Sequence, residues 1–247
     1  AIQAAETVKA VEDLYLPYRP KRRTRASTAR ERGLEPLAKL LMEGVVDSLA
    51  DEKLQAFITE EVPSSEEALQ GARDIIAEDV AETAAIRDIL RRNLWNSGPI
   101  HTEKQKDVDE ELAQTYQMYF DLSDKVSAMP AHRVLATNRA EKAGVLKVRI
   151  ETTDDRNVFR IVREMTRQTG LKPGSFSYQQ VEEAIEDSYK RLLFPSIEKE
   201  IRQEMTSLAD TESIRIFGDN LRPYLMQAPL KDMVVMGLDP GFRTGCK

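Results

Sequence analysis

The chain has 247 residues, of which 41% are hydrophobic, 32% charged and 6% aromatic, with a net charge of −6. That length buries a substantial core and holds one or two domains, and no apolar run approaches the ~20 residues that span a bilayer. A single cysteine, and two histidines placed far apart at 101 and 132, exclude an internal disulfide and a Cys/His zinc cluster.

The opening AIQAAETVKAVEDLYL has neither a basic n-region nor an apolar h-region, so no signal peptide is expected. Ile2, Ala5, Val8 and Val11/Leu14 follow a helical spacing that predicts a helix over 2–15. Pro17 and Pro20 end it, because each lacks an amide and pushes its predecessor toward extended conformations. Residues 18–25 then read as a loop, and Ser27 or Thr28 as the cap of a short helix stopped by Gly33. LEPLAKLLMEG (34–44) puts Leu34, Leu37, Leu40 and Leu41 on one helical face.

Helices are predicted for 51–62, for 65–80 with Ser64 or Ser65 as cap, and for 81–97 up to the Gly98-Pro99 stop. Trp95 on the last is expected to be an inter-helix anchor rather than a base-stacking platform. PIHTEKQKD reads as an extended excursion, and the spacing of Leu112, Tyr116, Tyr119/Phe120 and Val126 predicts a helix up to Pro130. A helix over 131–143 leads to VLKVRIE (145–151), whose strict alternation predicts a half-buried strand, isolated or in a two-stranded element. Further helices are expected up to Gly170, over 175–210 with a kink or restart at Pro195, and over 211–226. After Pro229, residues 233–239 (MVVMGLD) read as a buried strand. The fold class is therefore mainly α, a multi-helical bundle with a short strand near 145–151 and a β-strand at its end.

Charge is unevenly spread. Segment 17–33 holds Arg19, Lys21, Arg22, Arg23, Arg25, Arg30 and Arg32 against Glu31 alone, a net +6 that leaves −12 on the rest. Cations on a proline-bounded loop suit phosphate contacts, which need charge and donors but no base geometry. Intramolecular pairing with the acidic body, or a protein partner such as RNA polymerase, would satisfy the same cations. Helix pairs at 27–44 or 51–95 are raw material for a helix-turn-helix. No phosphate loop, nucleophile elbow or dinucleotide fingerprint occurs, and paired glutamates such as Glu66-Glu67 read as solvated helix faces.

VEDLYLPYRPKRRTRASTARERGLEPLAKLL (11–41) and VVMGLDPGFRTGCK (234–247) resemble the Tex family of bacterial transcription accessory proteins, as do 132–148 and 188–202. The resemblance implies a cytoplasmic protein that binds RNA or DNA, with no membrane, cofactor or small-molecule substrate. It implies that 1–230 is the helical N-terminal region, including its helix-turn-helix part, and that 231–247 opens a YqgF-type, RNase-H-like domain. Family members begin upstream of this chain and continue into helix-hairpin-helix elements and an OB-fold RNA-binding domain. Asp239 matches the first carboxylate of RNase-H-like nucleases, which hold two Mg²⁺ ions with carboxylates from later strands. One carboxylate cannot hold those metals, and Asp-Pro-Gly is equally good hairpin chemistry, so the expectation is a non-enzymatic module. An inactive fragment of a metal-dependent nuclease and a pure protein-interaction scaffold are its alternatives.

Overall fold

The computed structural model describes residues 8–19, 23–151, 154–241 and 245–246. The chain is mainly α-helical. Helix α1 (Val8–Tyr15) stops where Pro17 opens a 3₁₀ turn over Leu16–Tyr18. The cap of α2 (Arg25–Glu31) is Thr24, not Ser27 or Thr28: the Ser27 amide donates to Thr24 Oγ1 (3.0 Å) while the Thr24 amide donates to Ser27 Oγ (2.8 Å). This reciprocal pair satisfies two amides that a helix start otherwise leaves open. Gly33, at φ +77°, turns the chain into α3 (Glu35–Met42).

Residues 51–62 form one short turn, α4 (Glu52–Gln55), followed by a tight bridge between Thr59 and Val62, rather than the predicted helix. Helix α5 (Ser65–Glu82) starts as predicted, with Ser64 Oγ accepting from the Glu67 amide (3.2 Å). It runs through the middle of the core, where Ala68, Ala72, Ile75 and Ile76 are buried beside Leu34, Leu37 and Leu41. Each fully buried Leu or Ile contributes about 1.5–3 kcal/mol. Helix α6 (Ala84–Ser97) follows, with Trp95 half-buried against the core in the expected anchoring position.

The region from 99 to 150 departs most from expectation. The strand predicted near 145–151 is present as β3 (Leu146–Ile150), with the alternation of buried and exposed residues read from its sequence. It is neither isolated nor two-stranded. β1 (Pro99–Lys104) is the centre of a three-stranded antiparallel sheet, paired on one side with β2 (Ser123–Lys125) and on the other with β3, in the register Thr102↔Val148. The helix predicted before Pro130 is reduced to α7 (Glu110–Thr115) and a 3₁₀ turn, because Asp121 takes a left-handed φ of +53° and sends the chain back along β1. Thr102, fully buried, holds that return: its hydroxyl donates to the Tyr119 carbonyl (2.5 Å) and accepts from the Leu122 amide (3.0 Å).

The open edge of β3 is closed by carboxylates. Glu141 on α8 (Ala131–Lys142) accepts from the Val148 amide (3.2 Å), and Glu198 accepts from the Ile150 amide (2.9 Å). Capping edge amides in this way removes a template for pairing with other chains.

After α9 (Asp154–Thr169), α10 (Phe176–Ser188) passes through one turn of π-helix, Tyr189–Leu193, straight into α11 (Phe194–Leu225). Pro195 lacks an amide and its ring would strike the carbonyl four residues back; the wide turn accommodates both without a break. The helices predicted over 175–210 and 211–226 are thus continuous apart from that turn. In α11, Ile197, Ile201, Met205 and Ala209 are buried, whereas Ile214, Phe217, Tyr224 and Leu225 are exposed. The strand expected at 233–239 does not form. These residues are exposed and make no ladder, because a strand forms only where a partner takes its backbone groups. The pairing here is a short hairpin of β4 (Pro240–Gly241) with β5 (Gly245–Cys246). Among the described residues, no helix is long and apolar enough to cross a membrane.

Candidate nucleic-acid interface

The basic segment is positioned by what α2 buries. Ala26 and Ala29 face α5, and small residues permit that close approach. At Gly71 on α5, an added Cβ would lie 2.3 Å from Leu34 Cδ1 and 3.3 Å from Ala29 Cβ. Thr24 Oγ1 also donates to Glu78 Oε1 (3.0 Å), tying the start of α2 to the same helix.

With this face inward, the predicted cations separate into two groups. Arg30 turns toward the protein, pairing through Nη1 with Glu78 and through Nη2 with Asp79, both at 2.5 Å. Partial burial works against its charge, but the hydrogen bond to Glu78 and the charges of Asp79 and Glu78 hold its pKa above the ordinary arginine value. Arg30 is therefore a pin between α2 and α5, the intramolecular pairing left open by the sequence. Arg19, Arg23, Arg25 and Arg32 are exposed. Arg23 has only a loose contact with Glu31, at 3.8 Å between two well-exposed side chains; such pairs contribute about 0–1 kcal/mol and yield easily to another anion. Arg25 lies near Asp74, whose carboxyl is pushed up by burial against the pull of Arg191 and Arg25. Lys21 and Arg22 lie outside the described residues. Tyr15 and Tyr18, 51% and 79% exposed, border Arg19 and bring aromatic surface to the cationic stretch.

The helix pair α2–α3 makes a poor base-reading device. The exposed positions of α3 and its C-terminal cap include Glu35, Pro36, Lys39 and Glu43, with Glu35 paired to Lys39 at 3.0 Å. This face is slightly acidic, and a phosphate-lined groove repels it. Asp239 is exposed on a stretch without secondary structure, and no group of three or more His, Cys, Asp or Glu side chains suited to a metal occurs among the described residues.

What holds the segment's other end was not read from the sequence. Asp13 on α1 is 5% exposed and accepts from Arg87 Nε (2.8 Å) and Arg91 Nη2 (2.8 Å), both on α6. Glu200 on α11 pairs with Arg87 Nη2 and accepts from Arg91 through both Nε (3.2 Å) and the Nη2 that also reaches Asp13 (2.9 Å). Two arginines thus face two carboxylates, with Lys9 Nζ a looser fifth charge 3.9 Å from Glu200, and three helices meet around them. The available signal was weak: Arg87 and Arg91 share one helical face with the apolar stripe of α6, and arginine stems commonly flank such stripes.

Residues 47–217 match the Tex central region-like family. Over its whole length the chain is 39% identical to the YdcI protein of Bacillus subtilis (strain 168) and 35% identical to the transcriptional accessory protein Tex of Neisseria gonorrhoeae. It is 28% identical, again over its whole length, to the human S1 RNA-binding domain-containing protein 1. The chain covers 34%, 32% and 26% of those three proteins, respectively. It thus spans about a third of the length of the first two relatives. With its central 171 residues matched, and its whole length aligned with part of each bacterial relative, the chain belongs to the Tex family.

Proposed function

We propose that this part of a Tex-family protein is a non-catalytic helical scaffold that grips a nucleic-acid strand by its phosphates and thereby serves transcription in the cytoplasm. The observation that carries this reading is the split within the basic segment. Arg30 is spent on fixing α2, while Arg19, next to exposed Tyr18, and Arg23, Arg25 and Arg32 remain at the surface. Guanidiniums held on a rigid base without firm internal partners suit phosphate oxygens. An adjacent aromatic ring offers a stacking surface to an unpaired base. Relatives named for a transcriptional accessory role and for an S1 RNA-binding domain agree with RNA or DNA as the partner. In this reading 1–230 is the helical region and 231–247 opens an RNase-H-like unit, with Asp239 outside the activity.

The test replaces Arg19, Arg22, Arg23, Arg25 and Arg32 with alanine and follows RNA and DNA binding by fluorescence anisotropy through a salt titration. Each lost phosphate contact lowers the slope of log affinity against log salt by about 0.7 for single strands and 0.9 for duplex. An unchanged slope and affinity would sink the reading.

A further inference from the structure

We infer that α9 carries a second contact, for a single-stranded nucleic acid, made by Arg156, Arg160 and Arg163 around Phe159. This helix lies outside the basic segment, and the inference stands without the 19–32 reading. Its buried side is Asn157, Ile161, Val162 and Met165. Asn157 is pinned inward between Asn93 (2.7 Å) and the Tyr189 hydroxyl (3.0 Å). With that side fixed, Arg156, Arg160 and Arg163 emerge at i, i+4 and i+7 and are all exposed. Their rungs are spaced by about 6 and 4.5 Å along the helix axis.

Among the described side chains, the acids nearby are accounted for. Glu164, one turn beyond Arg160, is engaged by Arg167 (2.7 Å) and Gln168 (2.9 Å), so the fourth arginine of the row is already paired. Asp155 and Glu151 are exposed near the first rung. Neither makes an ion pair with Arg156, Arg160 or Arg163.

Phe159 is the reason for a single strand. It is 65% exposed, and its neighbours on the helix surface are Arg156 three residues before it and Arg163 four residues after. A large exposed ring among unpaired guanidiniums has no structural use in the described fold. It matches the combination that binds unpaired strands, in which cations follow the backbone and a ring takes a base. A duplex presents its phosphates but keeps its bases stacked, so it would use the cations and leave the ring idle. At the N-terminal end of the row lies an open cleft of about 280 Å³, lined by Asn93, Ser97, Glu151, Arg156 and Arg160. Its amide and hydroxyl groups offer hydrogen bonds beside the first two cations.

The experiment uses the 247-residue chain with labelled single-stranded RNA, single-stranded DNA of the same sequence, and the corresponding duplex. In R156A/R160A/R163A the salt slope for both single strands is expected to fall by about 2, which removes about 20-fold of salt sensitivity between about 50 and 200 mM. Lysine at all three positions is expected to retain the slope, because phosphate contact needs only the charge. Phe159→Ala is expected to weaken single-strand binding about tenfold and leave duplex binding unaltered. Unchanged affinity and slope in the alanine variant overturn the site. An equal loss on the duplex in Phe159→Ala overturns the single-strand assignment. Repeating the series in a chain already carrying the 19–32 replacements separates the two contacts: salt-dependent binding that survives there and disappears with the α9 replacements belongs to α9 alone.

Discussion

Replacing Arg87 by methionine tests whether the buried charge cluster holds α1, α6 and α11 together. Arg87 is 4% exposed and donates to Asp13 Oδ1 (2.8 Å), the Ala81 carbonyl (3.3 Å) and Ser196 Oγ (3.0 Å), besides pairing with Glu200. Methionine retains much of the stem's volume, so the loss is mainly one of charge. Asp13 and Glu200 then share Arg91, at 2.8 and 2.9 Å, with Lys9 Nζ a looser cation 3.9 Å from Glu200, and the buried Asp13 carboxylate loses one of its two guanidinium partners. Removing one partner of a buried pair costs about 3–5 kcal/mol, and the surviving Arg91 places the effect near 3. With a urea m-value of about 3 kcal/mol/M, the midpoint shifts down by about 1 M. Asp13→Asn combined with Arg87→Met restores neutrality to the pair, so the double variant should lose less than the sum of the singles. A loss below 1 kcal/mol in Arg87→Met at unchanged m, or strict additivity in the double variant, refutes the reasoning.

Two other perturbations follow from the same packing. Gly71→Ala places a methyl 2.3 Å from Leu34 Cδ1. Overpacking costs about 1–3 kcal/mol, more than the ~1 kcal/mol that alanine gains over glycine in a helix, so the melting temperature should fall; a rise contradicts the close α2–α5 contact. Asp74→Asn tests a pH effect. Burial raises the folded-state pKa of Asp74 above its unfolded value, so its contribution to stability is present below the unfolded pKa and is lost as pH rises through the folded one. The asparagine variant should lack that part of the decline in urea titrations across the acid range and be no less stable at pH 7. A steeper decline would reverse the assignment.

Much of the helical framework was legible from local spacing: the leucine face of α3, the Ser64 cap and inner face of α5, and the alternation in β3. Caps, stops and periodicity are properties of a few adjacent residues, so sequence alone carries them, as it carried the family resemblance of 11–41 and 234–247. Tertiary structure decided the rest. Residues 99–104 and 123–125 became strands because β3 and each other's edges took their amides, a condition set by residues up to about 50 positions away. The strand propensity of 233–239 went unused for want of such a partner. The seven cations of 17–33 look alike in sequence, yet burial of Ala26 and Ala29 directs Arg30 to Glu78 and Asp79 and leaves its exposed neighbours available. Which charges are structural and which can meet a ligand depends on the face each helix buries, and that is settled only when the helices pack.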